Sequence, residues 1–174
     1  MYRFFIVSCL FVSSILLFSG CGGEKLPPGI PKLYPATLTV MQDGKPLAGA
    51  EVIMINVDPS TSWSAGGVTD QDGVLKLRTM GRYMGAPVGK YKVAVQKIEV
   101  PDTKLPDEIP TDPAGAQEYN RLVRQIEANS FHVVDKKFAL GVSELEVEIT
   151  PSNLALTVDV GPAIRENVPP EPKG

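Results

Sequence analysis

The sequence predicts an all-β fold, an antiparallel sandwich of about seven strands with one inserted α-helix, and three observations carry that expectation. Short segments alternate apolar and polar residues with a period of two, as Tyr91, Val93 and Val95 do between Lys92, Ala94 and Gln96. Sixteen glycines and 16 prolines in 174 residues supply the turns between such segments. Helical periodicity is confined to one stretch, residues 113–128, where Tyr119, Leu122, Val123 and Ile126 fall at i, i+3, i+4 and i+7.

The elements follow in order. A strand from Ala36 to Gln42 ends at Asp43-Gly44-Lys45-Pro46, where Asp-Gly marks a tight turn. The run from Ala50 to Val57 is apolar on both faces, so it is expected to be central and covered on both sides. A loop with Pro59 and Trp63 follows. Gly67-Val68-Thr69 then leads into the turn Asp70-Gln71-Asp72-Gly73, and Val74 to Thr79 leaves it with Leu75 and Leu77 inward. Gly85 to Gly89 is a loop before the strand that carries Tyr91, Val93 and Val95. Prolines at 101, 106, 110 and 113 interrupt the pattern, and Asp112-Pro113 reads as an N-cap with proline at the first helical position. Residues 101–130 are therefore a loop plus helix, inserted and packed on the sandwich edge. Leu145, Val147 and Ile149 alternate with Glu144, Glu146 and Glu148, and Leu154, Leu156, Val158 and Val160 return as the second arm of a hairpin. The domain is thus residues 36–160, and the Pro-rich residues 161–174 are expected to be a disordered tail.

The N-terminus has another character. Arg3, an apolar run from Phe4 to Phe18, the small residues Ser19 and Gly20, and then Cys21 form the layout of a secretory signal ending at a lipidation site. A plain secretory signal or a membrane-spanning anchor are the alternatives. The run of about 15 residues is shorter than the roughly 20 that a bilayer requires, and plain secretion needs no cysteine at that point. Leu17-Phe18-Ser19-Gly20-Cys21 resembles the lipobox of bacterial lipoproteins, with Phe18 where that pattern prefers Leu. The resemblance implies that residues 1–20 are removed and Cys21 becomes an acylated N-terminus. Gly22 after the cysteine implies an outer-membrane address, on the periplasmic or the outer side. Residues 21–35, with four prolines, are then a tether of about 3 Å per residue that holds the domain up to about 40 Å from the membrane.

Composition bounds the rest. Removing residues 1–20 takes away Arg3 alone among charged residues, leaving 16 Lys+Arg against 20 Asp+Glu. That acidity argues against nucleic acid and against anionic membrane surfaces as partners. Cys9 leaves with the signal and Cys21 is lipidated, which leaves no thiol for a disulfide.

Three motifs carry a resemblance in the domain. Gly44-Lys45-Pro46-Leu47-Ala48-Gly49-Ala50-Glu51-Val52, Thr69-Asp70-Gln71-Asp72-Gly73, and Pro87-Val88-Gly89-Lys90-Tyr91-Lys92-Val93 resemble, in this order, motifs of carboxypeptidase regulatory-like domains. The resemblance implies a transthyretin-like, immunoglobulin-like β-sandwich with adhesive or binding roles and no catalysis of its own.

Candidate chemistry is sparse. Asp70 to Gly73 lacks the ligand spacing and terminal Glu of a calcium loop. His132 is the only histidine, and no Gly-x-Ser-x-Gly elbow is present. The hydroxyisourate hydrolases of this fold rely on several histidines and a Tyr-Arg-Gly-Ser ending, which this chain lacks. Neither a metal nor a cofactor is expected, and no enzyme. The row Glu144, Glu146, Glu148 reads as the solvated face of an edge hairpin. Trp63 in its Ser/Thr-rich loop, and Tyr83-Met84, are the candidate partner-binding tips, for an envelope protein or, as the alternative, a glycan; the competing reading of Trp63 is that it caps the open end of the sandwich.

Overall fold

The computed structural model describes residues 26–61 and 63–168. Among the described residues the chain is mostly β, with several antiparallel sheets and one α-helix. Its first strands are β1 (Leu33–Tyr34), β2 (Thr37–Gln42), β3 (Lys45–Pro46), β4 (Glu51–Asn56) and β5 (Ser64–Val68). Next come β6 (Val74–Lys76), β7 (Arg78–Thr79), β8 (Tyr83–Met84), β9 (Ala86–Pro87), β10 (Gly89–Gln96) and β11 (Ile98–Glu99). Helix α1 (Pro113–Asn129) precedes β12 (Phe131–His132), β13 (Glu146–Ile149), β14 (Ala155–Asp159) and β15 (Glu166–Asn167).

Two larger sheets face each other across one core. The first runs β13-β10-β4-β5-β7-β8. The second is built on β2, which pairs with β14 along one edge and with β6 and β3 along the other. Period-two alternation decides which side chains point inward. Leu38 and Val40 of β2 and Leu156 and Val158 of β14 meet Val52 and Met54 of β4 and Tyr91, Val93 and Val95 of β10. Each such apolar side chain contributes about 1.5–3 kcal/mol on leaving water.

One turn pair locks the two sheets in register. The Thr69 hydroxyl donates to the Leu47 carbonyl at 2.7 Å and accepts from the Ala50 amide at 2.8 Å, both buried. Main-chain bonds between Gly49 and Thr69 and between Thr69 and Ala50 flank it. Gly73 lies so close to this turn that a side chain there would sit 2.7 Å from Cβ of Pro46. The segments around Pro46 and around Thr69 therefore hold each other, far apart in sequence.

The structure departs from the sequence expectations at several places. β4 is central in its sheet, but its outer face is open, with Ile55 46% exposed. Nothing in an apolar run says whether a second layer exists to cover it. The predicted strand from Val74 to Thr79 breaks at the buried Leu77, whose amide donates to the Ala36 carbonyl, so β6 and β7 belong to different sheets. β13 and β14 do not form a hairpin. The turn at Thr150–Asn153 carries the chain across the core, and β14 lies parallel to β2, the one parallel pair between named strands.

The predicted tether is shortened. Leu33 and Tyr34 pair with Pro87 and Ala86, and Ile30 packs against the core. The predicted disordered tail is structured as far as Val168. The Val160 amide donates to Met41, the Ile164 amide to Val133, and β15 pairs with β12 in a small sheet with β11. Residues 1–25 and 169–174, with the predicted signal and the end of the tail, lie outside the described residues.

Helix α1 forms as the caps dictate. Asp112 accepts from the Gly115 amide at 2.9 Å and Pro113 takes the first turn. No residue of the helix is buried, however, so it contributes nothing to the sandwich core, against the expected packing on its edge. Tyr119, Leu122, Val123 and Ile126 are only half-covered.

Removing the Thr69 hydroxyl leaves a buried amide and carbonyl unpaired, so Thr69→Ala is expected to lower stability by about 2 kcal/mol. Thr69→Ser should recover most of this. Urea unfolding of the two variants checks it; equal losses in both would show that the hydroxyl carries no weight.

Candidate functional site

Cys21, the predicted lipidation site, lies outside the described residues. Of the two readings of Trp63, the structure excludes the exposed tip and agrees with the cap on the open end of the sandwich. The residue is 8% exposed and belongs to the core cluster, with its ring centroid 6.0 Å from that of Tyr91. The Ser/Thr-rich loop around it suggested exposure, but the open end of a sandwich needs a large apolar lid, and the single Trp fills that need.

Tyr91 beneath it is fully buried. Its hydroxyl donates to the Pro87 carbonyl at 2.7 Å. Burial pushes its pKa up to about 12, with a hydrogen bond to Asn56 acting the other way.

Tyr83 is half-exposed next to the exposed Met84, on the hairpin of β7 and β8. The Arg82 guanidinium lies 5.5 Å from its ring centroid. The turn is closed by the Arg82 amide donating to the Thr79 carbonyl, and its two central residues, Met80 and Gly81, have φ of 54° and 69°. Among the described residues Met80 and Asp43 are the two non-glycines with positive φ. At Asp43-Gly44 the sequence supplies a pair that tolerates this conformation. At Met80 it supplies a long apolar side chain that does not, and leaves it 55% exposed. Strain without a packing reward is a signal that sequence reasoning missed, because Met-Gly is not a turn dipeptide by composition.

The acidic row does not face solvent alone. Glu146 pairs across β10 with Lys92, and Glu148 with Lys90, so opposite charges alternate over the outer face. β13 is an edge strand of its sheet. Asp70 serves its own turn, accepting from the amides of Asp72 and Val74. His132 is half-buried in β12, opposite Ile98 and Glu166. Among the described residues no group of three His, Cys, Asp or Glu side chains is placed to hold a metal ion, and no helix is long and apolar enough to cross a membrane.

The outer face of β4 and β10 also forms a groove of about 300 Å³ with the segment Leu140–Glu144, lined by apolar and polar surface in about equal share. Ile55, Val57, Leu140 and Val142 line it, each at least 46% exposed. The Ser143 hydroxyl fixes the overhanging segment by donating to the Val93 carbonyl. The arrangement offers contact surface and no reacting group. No protein-family model matches the chain, and no curated protein and no solved structure matches it either.

Two outcomes follow from the Trp63–Tyr91 pair. Trp63→Ala should cost about 3–5 kcal/mol, and the emission of this sole tryptophan should be blue-shifted until unfolding. A red-shifted native spectrum would contradict its burial. For Tyr91, a folded pKa above the ordinary tyrosine value of 10.0 means that its contribution is complete below pH 10 and is lost as pH rises towards 12. Denaturation midpoints should therefore fall across that window, with a slope approaching about 1.4 kcal/mol per pH unit, and Tyr91→Phe should flatten the slope. An identical slope in the variant would remove Tyr91 as its source.

Proposed function

We propose that this chain is a lipid-anchored lipoprotein of the bacterial outer membrane, carrying a non-catalytic, transthyretin-like β-sandwich that acts as a binding or structural module. The observation that carries the anchoring is the apolar run ending in Leu17-Phe18-Ser19-Gly20-Cys21, with its basic residue at position 3. Several acyl chains on one cysteine, at about 0.8 kcal/mol per buried methylene, make the attachment permanent.

Support for a carboxypeptidase regulatory-like domain comes from the roles of the motif residues. Thr69 ties Leu47 to Ala50, Gly73 permits the close approach of Pro46, and Tyr91 bonds the Pro87 carbonyl. All three motifs serve turns and packing, which agrees with a module whose work is done by its surface. The open groove beside Ile55 and Val142 is a surface of that kind. The glycan alternative loses its aromatic platform, because Trp63 is buried.

Radiolabelled palmitate should enter the wild-type protein and be absent from Cys21→Ala, which should also leave the membrane fraction. Labelling that persists in the variant, or is missing from the wild type, would overturn the anchoring.

A further inference from the structure

From Gly73 to Ile98 the chain has no Asp or Glu, and it carries six cations, in a protein where acids outnumber bases. Folding sorts them. Lys90 and Lys92 lie opposite Glu148 and Glu146. Lys76, Arg78 and Arg82, the last also stacked over the Tyr83 ring, gather at one end of the sandwich, where β6 meets the start of β2 and the β7–β8 hairpin turns. The same end holds exposed apolar side chains, Met80 at 55%, Met84 at 57% and Val88 at 43%. Among the described residues its acids are Asp58 and Glu148, the latter opposite Lys90 in the strand register. The opposite end carries Asp43, Asp70, Asp72 and Asp159, with Glu99 and Glu166 of the small sheet that Gln42 ties in there, against Lys45, Lys97, Lys136 and Arg165. The sandwich is therefore electrostatically polar along its length.

The N-terminal segment departs from the cationic end. Tyr34 pairs with Ala86, and its carbonyl lies so close to Gly85 that a side chain there would be 2.5 Å away; Met84 is the next residue. With Ile30 packed against the core, a lipidated Cys21 is nine residues from the fold, a reach of about 30 Å at most. A tether that short keeps this end towards the membrane.

We propose that the cationic end docks on an anionic lipid bilayer, with the Met80 turn and Met84 entering the interface and Lys76, Arg78 and Arg82 lying among the headgroup phosphates; the orientation rests on the lipid-anchored reading of Cys21. A bilayer answers both halves of this surface at once, its headgroups the cations and its acyl boundary the exposed methionines. It also gives the strained Met80 the burial that the fold denies it.

The test uses the full chain with Cys9→Ser and Met80→Cys, labelled with an environment-sensitive nitrobenzoxadiazole, and subtracts the signal of the Cys9→Ser chain labelled alike, which reports any free Cys21 thiol. The labelled chain is mixed with vesicles of phosphatidylethanolamine and phosphatidylglycerol, or of phosphatidylcholine alone. The probe should brighten severalfold on the anionic vesicles and be quenched by shallow nitroxide lipids. Both responses should fall severalfold on phosphatidylcholine and in Arg78→Glu/Arg82→Glu. A probe at Asp72→Cys should stay aqueous. A Met80 probe that iodide reaches equally with and without vesicles overturns the proposal, as does equal brightening on both lipids. Protection seen in native membranes but not on phosphatidylglycerol also overturns it, in favour of a protein partner. Palmitate incorporation on the same sample reads the anchor separately, so a docking response without acylation upholds the tip and rejects the lipoprotein reading. Circular dichroism melts confirm that each variant is folded, which the exposure of positions 78, 80 and 82 favours.

Discussion

Every strand of the smaller sheet is hydrogen-bonded to β2. β14 lies along one edge, while β6 and β3 share the other, so six residues must satisfy donors and acceptors on both sides. The handover between β6 and β3 falls at Val40, whose amide donates to Gly73 and whose carbonyl accepts from Leu47. Leu38 and Val40 are at the same time fully buried against the larger sheet. The last inward residue of the strand, Gln42, donates to the Val133 carbonyl and so ties in the small sheet of β11, β12 and β15. A slip of β2 by one residue would expose this face and unpair three neighbours together. The turn held by Thr69 fixes that register.

This constraint also sets the two ends of the molecule apart. β2, β5 and β10 fix which turns lie together, so the Asp-rich turns gather at one end and the Met80 turn, Trp63 and the departing N-terminal segment at the other. The contrast between Asp43 and Met80 is informative because both sit in the same unusual backbone state. At the first, residue and conformation agree. At the second they disagree, on a side chain that packs against nothing in the core. Local disagreement of this kind points to a use outside the fold.

The candidate site was legible only in part. Tyr83 and Met84 were picked out as a tip, and they sit at the exposed hairpin. For Trp63 the sequence leaves an exposed tip and a cap on the sandwich end both open, because loop composition reports on chain path and not on which side chain turns inward; the structure has it buried. The groove beside Ile55 had a trace in the sequence, the double-faced apolar run of β4, but that pattern was read as cover on both sides. An apolar face waiting for a partner and one already covered look alike in sequence.

By itself the sequence determined the alternation that forms the strands, the Asp-Gly and Asp-Pro signals that end or start elements, and the five-residue ending at Cys21 that suggests an anchor. These are local, since a side chain's period or a residue's φ depends on its own neighbourhood. Only the tertiary structure decided that Val74 to Thr79 divides between two sheets, that β14 runs parallel to β2, and that residues 161–168 are ordered. It also decided that charges spread along the chain separate to opposite ends. Those outcomes depend on which distant backbone edges meet across a shared core, and no period within one segment encodes its partner.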